Sequence, residues 1–337
     1  MYKGSFLLSF YAETPVHMGA GGSVSYVDLP VQRERHTSFP VLWGSGIKGV
    51  LRNFACRKLS KEKVDTIFGP NKEKEKHSKE EEEKHLEEEY SSCISITDAK
   101  ILLYPVRSVR GVFAWITCPF VLKRFLEDLK AIKNNNLNFD KKPQNTQNQN
   151  DLVRNLEELL KNLNELEDNQ IIIDNNKSKL VIENQKIENK NQVALEEFVF
   201  DVINKNQEIL ESFISKLKQI LPDNNLSKDD LEKHLAIVSD NVFKDFVNYA
   251  VEIRTRIRID QAKGTVEKGA LFTEELIPSE SIFYSLVFIS EPKKNNINFE
   301  EVKELITQDL FKEDPLIQFG GDETTGKGFF RVKLYTP

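Results

Sequence analysis

Three glycine-containing segments hold residues whose types and spacing suit the binding of a polyanion. They are residues 15–22 (PVHMGAGG), 41–53 (VLWGSGIKGVLRN) and 318–333 (QFGGDETTGKGFFRVK). Glycine lets the backbone approach a ligand closely, although a single glycine-rich turn is structural more often than functional. Three such segments in one chain, two of them carrying lysine, favour a polyanion as the ligand. The third segment supplies candidate contacts at Gly320, Gly321, Gly326, Lys327 and Gly328.

The second segment predicts a phosphate site at the start of a helix. Ser45 is the expected N-cap, and Lys48 and Arg52 follow one turn apart on a polar face. Free backbone N–H groups at a helix N-terminus attract anions, and Lys48 adds a positive charge beside them. The Walker pattern G-x-x-x-x-G-K-[ST] is not met, so no ATPase is inferred. The apolar face of this helix is expected to contain Ile47, Val50, Leu51 and Phe54.

The elements that must position these segments follow from the apolar periodicity. Strands and helices come mixed, with hairpins rather than regular βαβ alternation, which predicts an α+β fold with an antiparallel sheet. Strands are predicted at 4–12, 252–260, 270–277, 281–289 and 328–335, and residues 94–104 and 107–117 are predicted to form a hairpin around a turn at Pro105. Helices are predicted at 119–131, 152–166, 195–221, 226–247 and 299–311.

Two polar stretches interrupt this pattern and predict insertions. Residues 71–89 hold five Lys and nine Glu with one apolar residue, so a solvated helix or a disordered loop is expected. Residues 134–150 are rich in Asn and Gln, which is typical of a linker. His77 and His85 lie in the acidic stretch, but a metal site needs a rigid cage, so a mobile charged loop is the favoured interpretation.

Length and composition exclude several classes of protein. The 337 residues suffice for one large or two ordinary domains. The first apolar run, FLLSF at residues 6–10, is too short for a signal peptide, and nothing approaches a membrane span. A cytoplasmic protein that does not enter a membrane is therefore expected. Three widely spaced cysteines support neither a disulfide framework nor a zinc site, and they are expected to be buried or half-buried.

Taken alone, the net charge of -6 argues against a nucleic-acid partner. However, residues 31–63 contain eight basic and two acidic side chains, a local +6, whereas residues 71–89 contribute -4. Binding to a polyanion depends on the field of the face that meets it, not on the total charge. The sequence therefore predicts a basic face surrounded by acidic insertions, with an affinity for RNA that falls as salt rises.

The order of the motifs also resembles a known family. The motifs are PVHMGAGG, SYVDLPVQRERHTSFPVLWGSGIKGVLR, RIRIDQAKGTVEKGALFTEELIP and FGGDETTGKGFFRV. Together they resemble the RAMP superfamily of CRISPR-Cas proteins, most closely the backbone subunit of the type III-B (Cmr) effector complex. The VDLPVQRE element is the most specific of them, and the acidic and Asn-rich stretches have no counterpart in the resemblance.

The resemblance implies a ferredoxin-like (RRM-like) palm with a protruding β-hairpin thumb and inserted helices, all in one RAMP domain. The palm would comprise 1–70 and 93–131, with a catalytic loop near 22–36, and would be completed by 281–337 with its glycine-rich loop. The charged insertion would span 71–92, the Asn-rich linker and helical insertion 132–250, and the thumb hairpin 251–280. The implied partners are guide CRISPR RNA, target RNA, further copies of the chain in a helical backbone, and other Cmr subunits.

The resemblance also implies chemistry. Each backbone subunit of the family cuts target RNA with one aspartate, and the matching residue is Asp28. A divalent cation, usually Mg²⁺, is implied, with Asp28 as its candidate ligand, as are products of attack by the 2′-hydroxyl of the RNA. One carboxylate can serve as a base or as a metal ligand that leaves several waters in place. Without the family match, Asp28 would more simply cap a turn.

Other residues receive weaker implied roles. His17 could assist proton transfer, although a lone histidine is more often structural. Glu274 and Glu275 are candidates to support the metal from an adjacent subunit. Arg33 and Arg35, with His36 beside them, could hold RNA phosphates. Arg254, Arg256 and Arg258 share one face of a predicted strand, which either binds RNA or forms salt bridges to a neighbouring subunit.

Two alternative functions stay open. One is a scaffold that holds guide RNA without cutting, as expected for a type III-A-like RAMP subunit. The other is a guide-processing RAMP ribonuclease that depends on His17 instead of Asp28. Cleavage of a matched target at regular spacing would exclude the first, and unimpaired cutting of repeat RNA by a His17→Ala variant would exclude the second.

Overall fold

The first strand, β1 (Tyr2–Ala12), lies inside a large mixed sheet and organises the fold. The computed structural model describes residues 2–22, 26–70, 90–137, 146–163, 166–183, 191–204, 207–223, 226–293 and 297–336. The other strands are β2 (Val41–Leu42), β3 (Ile94–Ile96), β4 (Ala99–Arg107), β5 (Phe113–Thr117), β6 (Gln170–Ile173), β7 (Val181–Glu183), β8 (Asn191–Leu195), β9 (Phe198–Val202), β10 (Leu235–Ile237), β11 (Glu252–Asp260), β12 (Thr265–Leu276), β13 (Ile282–Ser290), β14 (Leu316–Gln318) and β15 (Phe329–Tyr335). The helices are α1 (Gly44–Cys56), α2 (Lys61–Phe68), α3 (Pro119–Leu137), α4 (Thr146–Lys161), α5 (Gln207–Ile220), α6 (Lys228–His234), α7 (Asp240–Tyr249) and α8 (Phe299–Glu304), which continues as a π-helical turn over Leu305–Leu310.

Four strands form the palm of the molecule. β15, β1, β13 and β4 lie side by side in that order, each antiparallel to its neighbour. With the helices between them, the chain order is β1, α1, β4, β13, α8, β15, which is the βαββαβ arrangement of a ferredoxin-like fold. The predicted α+β class and ferredoxin-like palm are therefore confirmed.

Both faces of β1 are covered. On one face, the hydroxyls of Ser5 and Ser9 donate hydrogen bonds to backbone carbonyls of α3 and α5, at 2.9 and 2.6 Å. On the other face, Phe10 packs edge to face on Phe319 and Phe330, with ring centroids 5.6 and 6.1 Å away. An RRM stacks bases on the open face of its sheet. In this chain α3 and α5 cover that face, so it is closed to stacking of this kind.

The segment between β5 and β11 extends the sheet and departs from the predicted helices. The predicted helix 195–221 is wrong in its first half, because β9 pairs with β8 there and α5 begins only at Gln207. The predicted helix 226–247 is interrupted by β10, whose three buried apolar residues pair with β5 and β6. A short apolar run has the same pattern in a buried strand as in a buried helix, so periodicity could not separate the two.

The predicted turn at Pro105 is also wrong. β4 runs through Pro105, which pairs with Trp115, and the hairpin turns at residues 108–112. The pairing of β4 with β13 ends at Leu103, so the missing N–H of Pro105 removes no hydrogen bond from that ladder. A proline inside a strand is tolerated at such a position.

The predicted insertions are only partly described. The acidic residues 71–89, with His77 and His85, and residues 138–145 of the Asn-rich stretch lie outside the described residues. The described ends of that stretch belong to α3 and α4, so the linker predicted over 134–150 is helical at both ends. Among the described residues, no helix is long and apolar enough to cross a membrane.

β11 and β12 form a separate two-stranded hairpin, the thumb hairpin. None of the residues of β11 is buried, and only the last three residues of β12 are, so the hairpin projects from the palm and is anchored at its base.

The cysteines differ from one another: Cys93 and Cys118 are buried as predicted, whereas Cys56 is exposed, contrary to the prediction.

The glycine-rich loop before β15 yields a test of backbone packing. Gly326 and Gly328 share a left-handed φ, 76° and 75°, but a Cβ on Gly326 would meet nothing within 4 Å, whereas one on Gly328 would lie 1.9 Å from the carbonyl oxygen of Phe319. We expect Gly326→Ala to cost about 1–2 kcal/mol for the left-handed backbone alone. Gly328→Ala should cost roughly 1–3 kcal/mol more, because its methyl group is forced into packed backbone.

The measurement is urea unfolding of both variants and the wild type at one protein concentration. Equal losses in the two variants would contradict the packing described here.

Candidate active site at the base of the hairpin

The loop that carries Asp28 is attached to the outgoing strand of the thumb hairpin. The N–H of Leu29 donates to the carbonyl of Thr273 at 3.1 Å, and the N–H of Glu275 donates to the carbonyl of Leu29 at 2.9 Å. Val27 and Val31 on either side are buried. Residues 245 positions apart in the chain are thus brought together by a short stretch of strand-like pairing.

An ion pair between the half-buried Arg33 and the buried Glu275 locks this loop in place. The Arg33 guanidinium lies 2.5 Å from Oε1 of Glu275, and Oε2 of Glu275 accepts a hydrogen bond from the N–H of Val31 at 2.9 Å. The same guanidinium donates to the carbonyls of Ser38 and Val247, both at 2.9 Å. Arg33 and both oxygens of Glu275 are therefore engaged within the protein, in an arrangement that positions the loop.

Asp28 itself is exposed, and Thr273 holds its carboxylate. Oδ2 of Asp28 accepts hydrogen bonds from the backbone N–H of Thr273 at 2.7 Å and from its hydroxyl at 2.9 Å. The backbone donor, and after it the hydroxyl, hold the pKa of Asp28 below its ordinary value of 3.8. Within the described residues, Oδ1 makes no hydrogen bond. The site thus presents one oriented, ionised carboxylate oxygen to solvent.

Glu274 takes part in a second cluster, which joins the hairpin to the glycine-rich loop. Arg256 lies 2.9 Å from Glu274 and 2.7 Å from Asp322. Burial, and then the neighbouring Asp322 carboxyl, raise the pKa of Glu274. Burial alone would raise the pKa of Asp322, but its hydrogen bonds with Arg256 and Glu274 outweigh this and lower it. Glu274 is therefore the more readily protonated of the two carboxyls, and the cluster places Arg256 in an intramolecular contact.

His17 is a buried link between two of the glycine-containing segments. Its Nδ1 lies 2.9 Å from the backbone carbonyl of Glu275, and its own carbonyl accepts from the N–H of Gly321 at 2.8 Å. Gly320 has φ 92°, and a Cβ there would lie 2.5 Å from the same carbonyl oxygen of His17. These contacts assign His17 a packing and hydrogen-bonding role, and its burial separates it from a ligand at the surface.

The predicted N-cap of α1 is wrong, and an acidic side chain lies at the start of the helix. The helix begins at Gly44, so Ser45 is inside its first turn and Trp43 occupies the N-cap without a side-chain hydrogen bond. The N–H of Gly44 donates to Oδ1 of Asp98 at 2.7 Å, so a carboxylate already occupies the helix N-terminus. Sequence could not reveal this partner, because Asp98 follows only after the acidic insertion.

The two basic residues of α1 are also engaged. Lys48 donates to the hydroxyl of Ser92 at 2.7 Å, and burial lowers the pKa of its ammonium. Arg52 donates to the carbonyl of Gly69 and lies 2.5 Å from Asp65, which ties α1 to α2. Both side chains are half-buried, and their contacts hold α1 against its neighbours.

Three of the remaining predicted basic contacts are exposed, and the fourth, Lys327, is not. Arg35 is exposed and has no ion-pair partner in the described part of the chain. Arg254 and Arg258 project from the hairpin and are paired only with exposed carboxylates, Glu252 at 2.7 Å and Glu267 at 3.6 Å. Exposed pairs of this kind contribute little and are easily exchanged for phosphate. Lys327 is largely buried, and its ammonium has no ion-pair partner among the described residues.

Few side chains near Asp28 could coordinate a metal ion. The described residues contain no group of three or more His, Cys, Asp or Glu side chains that could hold one. Glu275 is fully engaged, and Glu274 is shared with Arg256 and Asp322. Oδ1 of Asp28 is thus the one oxygen of this site that fits a metal ligand, and Mg²⁺ commonly keeps several waters and takes its other ligands from a phosphate.

Comparison with known proteins agrees with this architecture. The sequence pattern of the RAMP superfamily matches residues 9–331. The chain is 36% identical over 332 residues to the Cmr endoribonuclease Cmr4 of the CRISPR system of Pyrococcus furiosus, covering 98% of this chain and 95% of that protein. It is 24% identical to the Cmr4 subunit of the CMR system of Saccharolobus solfataricus over 98% of this chain and 96% of that one.

Solved structures show the same fold. The crystal structure of oligomeric Cmr4 from Pyrococcus furiosus matches with a TM-score of 0.65 at 30% identity, covering 99% of both chains. A chain of the type III-B Cmr-beta complex bound to cognate target RNA matches with a TM-score of 0.70 at 20% identity, covering 99% of this chain and 98% of that one. Its identity is low, so that likeness describes the fold alone.

The two hydrogen bonds from Thr273 to Asp28 predict a measurable change in the pKa of Asp28 when one of them is removed. Thr273→Val removes the hydroxyl donor but leaves the backbone N–H, so the pKa of Asp28 should rise toward its ordinary value without reaching it. Because the folded pKa is lowered, the favourable contact exists above the unfolded pKa and is lost as pH falls through the folded one. Titration of the Asp28 carboxyl carbon by ¹³C NMR measures the shift, and Thr273→Ser is the matched control. An unchanged pKa in Thr273→Val would rule out the hydroxyl as a donor.

The Arg33–Glu275 pair predicts a non-additive effect on stability. Arg33→Met leaves a buried carboxylate without its partner and should cost about 3–5 kcal/mol. Adding Glu275→Gln removes the charge but keeps an acceptor for the N–H of Val31, so the double variant should regain much of the loss. Urea unfolding of the four proteins of the cycle measures the coupling. Additive losses, or a loss below about 1 kcal/mol in Arg33→Met, would mean that the pair does not hold the loop.

Proposed function

Since the chain belongs to the RAMP superfamily, and within it to the family of Cmr4 subunits of CRISPR Cmr systems, we propose that it is an endoribonuclease of the type III-B backbone. It would bind guide CRISPR RNA and cut complementary target RNA at regular intervals. The observation that carries the proposal is the exposed Asp28 carboxylate, clamped at the base of a projecting hairpin. The relative that is 36% identical over almost the whole chain is named an endoribonuclease.

A single carboxylate is enough for this chemistry if the RNA supplies the nucleophile. Attack by the adjacent 2′-hydroxyl requires in-line geometry, removal of one proton and stabilisation of charge at the phosphate. The projecting thumb hairpin would meet the first requirement by separating neighbouring bases of the RNA. Arg35, Arg254 and Arg258 are among the exposed cations that would hold phosphates.

The lowered pKa of Asp28 favours one of two roles for its carboxylate. A general base works best when its pKa lies near the working pH, and Asp28 titrates even below the ordinary 3.8. A carboxylate that stays ionised at all physiological pH values is better suited to binding a cation. We therefore assign Oδ1 of Asp28 to Mg²⁺ or another divalent cation, while Thr273 holds Oδ2. When bound, such an ion would offset the charge that develops at the scissile phosphate.

The assembly would place several such sites along one guide. A Cmr4 relative has been crystallised as an oligomer, and a chain of similar fold occurs in a Cmr complex with target RNA. We propose that copies of this chain associate head to tail along the guide RNA, with other Cmr subunits completing the complex. Each copy would contribute one Asp28, which accounts for cuts at a regular spacing.

Removal of the Asp28 carboxylate tests this proposal. Asp28→Asn, assembled with guide RNA and partner subunits, should bind target RNA as the wild type does but cut it roughly 10²–10⁴-fold more slowly. Asp229→Asn, an exposed aspartate of α6 outside the site, is the matched control and should cut normally. Chelation by EDTA should stop the wild type, and Mg²⁺ should restore it.

Undiminished Mg²⁺-dependent cutting by Asp28→Asn would rule out Asp28 as the essential carboxylate. A wild-type complex that binds its target but never cuts it would instead support the scaffold alternative.

A further inference from the structure

Two exposed tyrosines line a cavity beside the Asp28 loop. Tyr26 is 80% exposed and Tyr249 is 79% exposed, and both line a cavity of about 360 Å³. Val27 and Pro30, which flank Asp28 in the chain, belong to the wall of the same cavity. The cavity therefore adjoins the proposed cleavage site.

The exposure of both rings is not explained by contacts within the chain. In the described residues, neither ring packs on another aromatic ring, and neither hydroxyl makes a hydrogen bond. Tyr26 precedes Asp28 by two residues, and Tyr249 is the last residue of α7. Aromatic rings held in this way at a cavity are the platforms on which nucleic-acid bases stack.

The polar groups of the cavity suit a nucleotide. Lys244 and Asn248 lie one turn apart on α7, and both line the cavity. The Nδ2 group of Asn248 donates to the carbonyl of Lys244 at 2.6 Å, which leaves its Oδ1 to accept from a ligand. The ammonium of Lys244 has no ion-pair partner among the described residues. Because Arg33 and Glu275 in the wall neutralise each other, Lys244 makes the cavity positive.

The surface on the other side of Tyr249 has the opposite character. It forms a groove of about 670 Å³ whose charged lining is mostly acidic, with Glu196, Glu197, Asp245, Glu252 and Glu280. RNA would be repelled from that groove and attracted to the cavity with Lys244. This contrast in charge favours RNA as the ligand of the smaller cavity.

We propose that Tyr26 and Tyr249 form a nucleobase pocket that receives one nucleotide of the target RNA next to the bond that is cut. The inference rests on the proposed endoribonuclease function and adds a ligand site to it. The cavity volume lies at the small end of the range for small-ligand sites, which fits a single base better than a folded segment. A base held there would leave the stack and fix the adjacent phosphate in the geometry that in-line attack needs.

The experiment places 2-aminopurine in the target RNA beside the scissile phosphate and uses the assembled complex with guide. Stacking on tyrosine quenches this fluorophore, so we expect quenching in the wild type and a several-fold brighter signal in the Tyr26→Ala/Tyr249→Ala double variant. Cutting should fall roughly 5- to 150-fold, the factor expected for the loss of base stacking. Target affinity should stay the same, because pairing with the guide determines it.

Two further variants provide the controls. Tyr26→Phe/Tyr249→Phe keeps the rings and should restore both quenching and cutting. Tyr2→Ala removes an exposed tyrosine at the far end of β1 and should change neither. Thermal melting of each variant verifies that the chain is folded.

The outcomes separate this proposal from the function on which it rests. Unchanged fluorescence in the double alanine variant would overturn the pocket, and so would a failure of that folded variant to assemble, since the cavity would then bind a protein neighbour. Asp28→Asn should stop cutting but keep the quenching. If Asp28→Asn still cuts, the proposed function fails, whatever the fluorescence shows.

Discussion

The ion pair between the half-buried Arg33 and the buried Glu275 is the interaction on which the candidate site depends. Arg33 lies in the loop of Asp28, and Glu275 lies near the end of the thumb hairpin, so the pair joins two segments that are otherwise distant in the chain. Desolvation makes such a pair expensive unless further hydrogen bonds complete it. Here the N–H of Val31 and the carbonyls of Ser38 and Val247 complete it. A displacement of the hairpin must therefore also displace Asp28.

A second set of contacts extends this coupling to the glycine-rich loop. Arg256 joins Glu274 to Asp322, and His17 joins the backbone of Glu275 to that of Gly321. The hairpin base, the first glycine segment and the last one thus meet at a single junction. This accounts for the polar residues buried there, whereas the exposed Arg35, Arg254 and Arg258 lie outside the junction, on the Asp28 loop and on the hairpin.

The positions of several strands and helices could be predicted from sequence, but the partners of the charged residues on them could not. The alternation of Arg254, Arg256 and Arg258 correctly indicated a strand, and the helical spacing from Ile47 to Phe54 correctly indicated α1. In contrast, Ser45, Lys48 and Arg52 were expected to face a ligand, and the fold turns the two basic side chains toward Ser92 and Asp65. Thr273, Tyr26 and Tyr249 carried no local signal, because their roles arise from contacts between segments more than 200 residues apart or from exposure in the folded state. Sequence pattern reports which residues a strand or helix buries, whereas charge pairing depends on the tertiary fold.

In the proposed function, one carboxylate suffices because the RNA supplies its own nucleophile, the 2′-hydroxyl. A target RNA with a single 2′-deoxy nucleotide on the 5′ side of one cleavage position tests this directly, with the other positions of the same molecule as internal controls. Cutting should vanish at the substituted position and continue at the others, where the products should carry a 2′,3′-cyclic phosphate and a 5′-hydroxyl. Normal cutting at the deoxy position would show that an activated water attacks instead, which a site built around Asp28 alone does not explain.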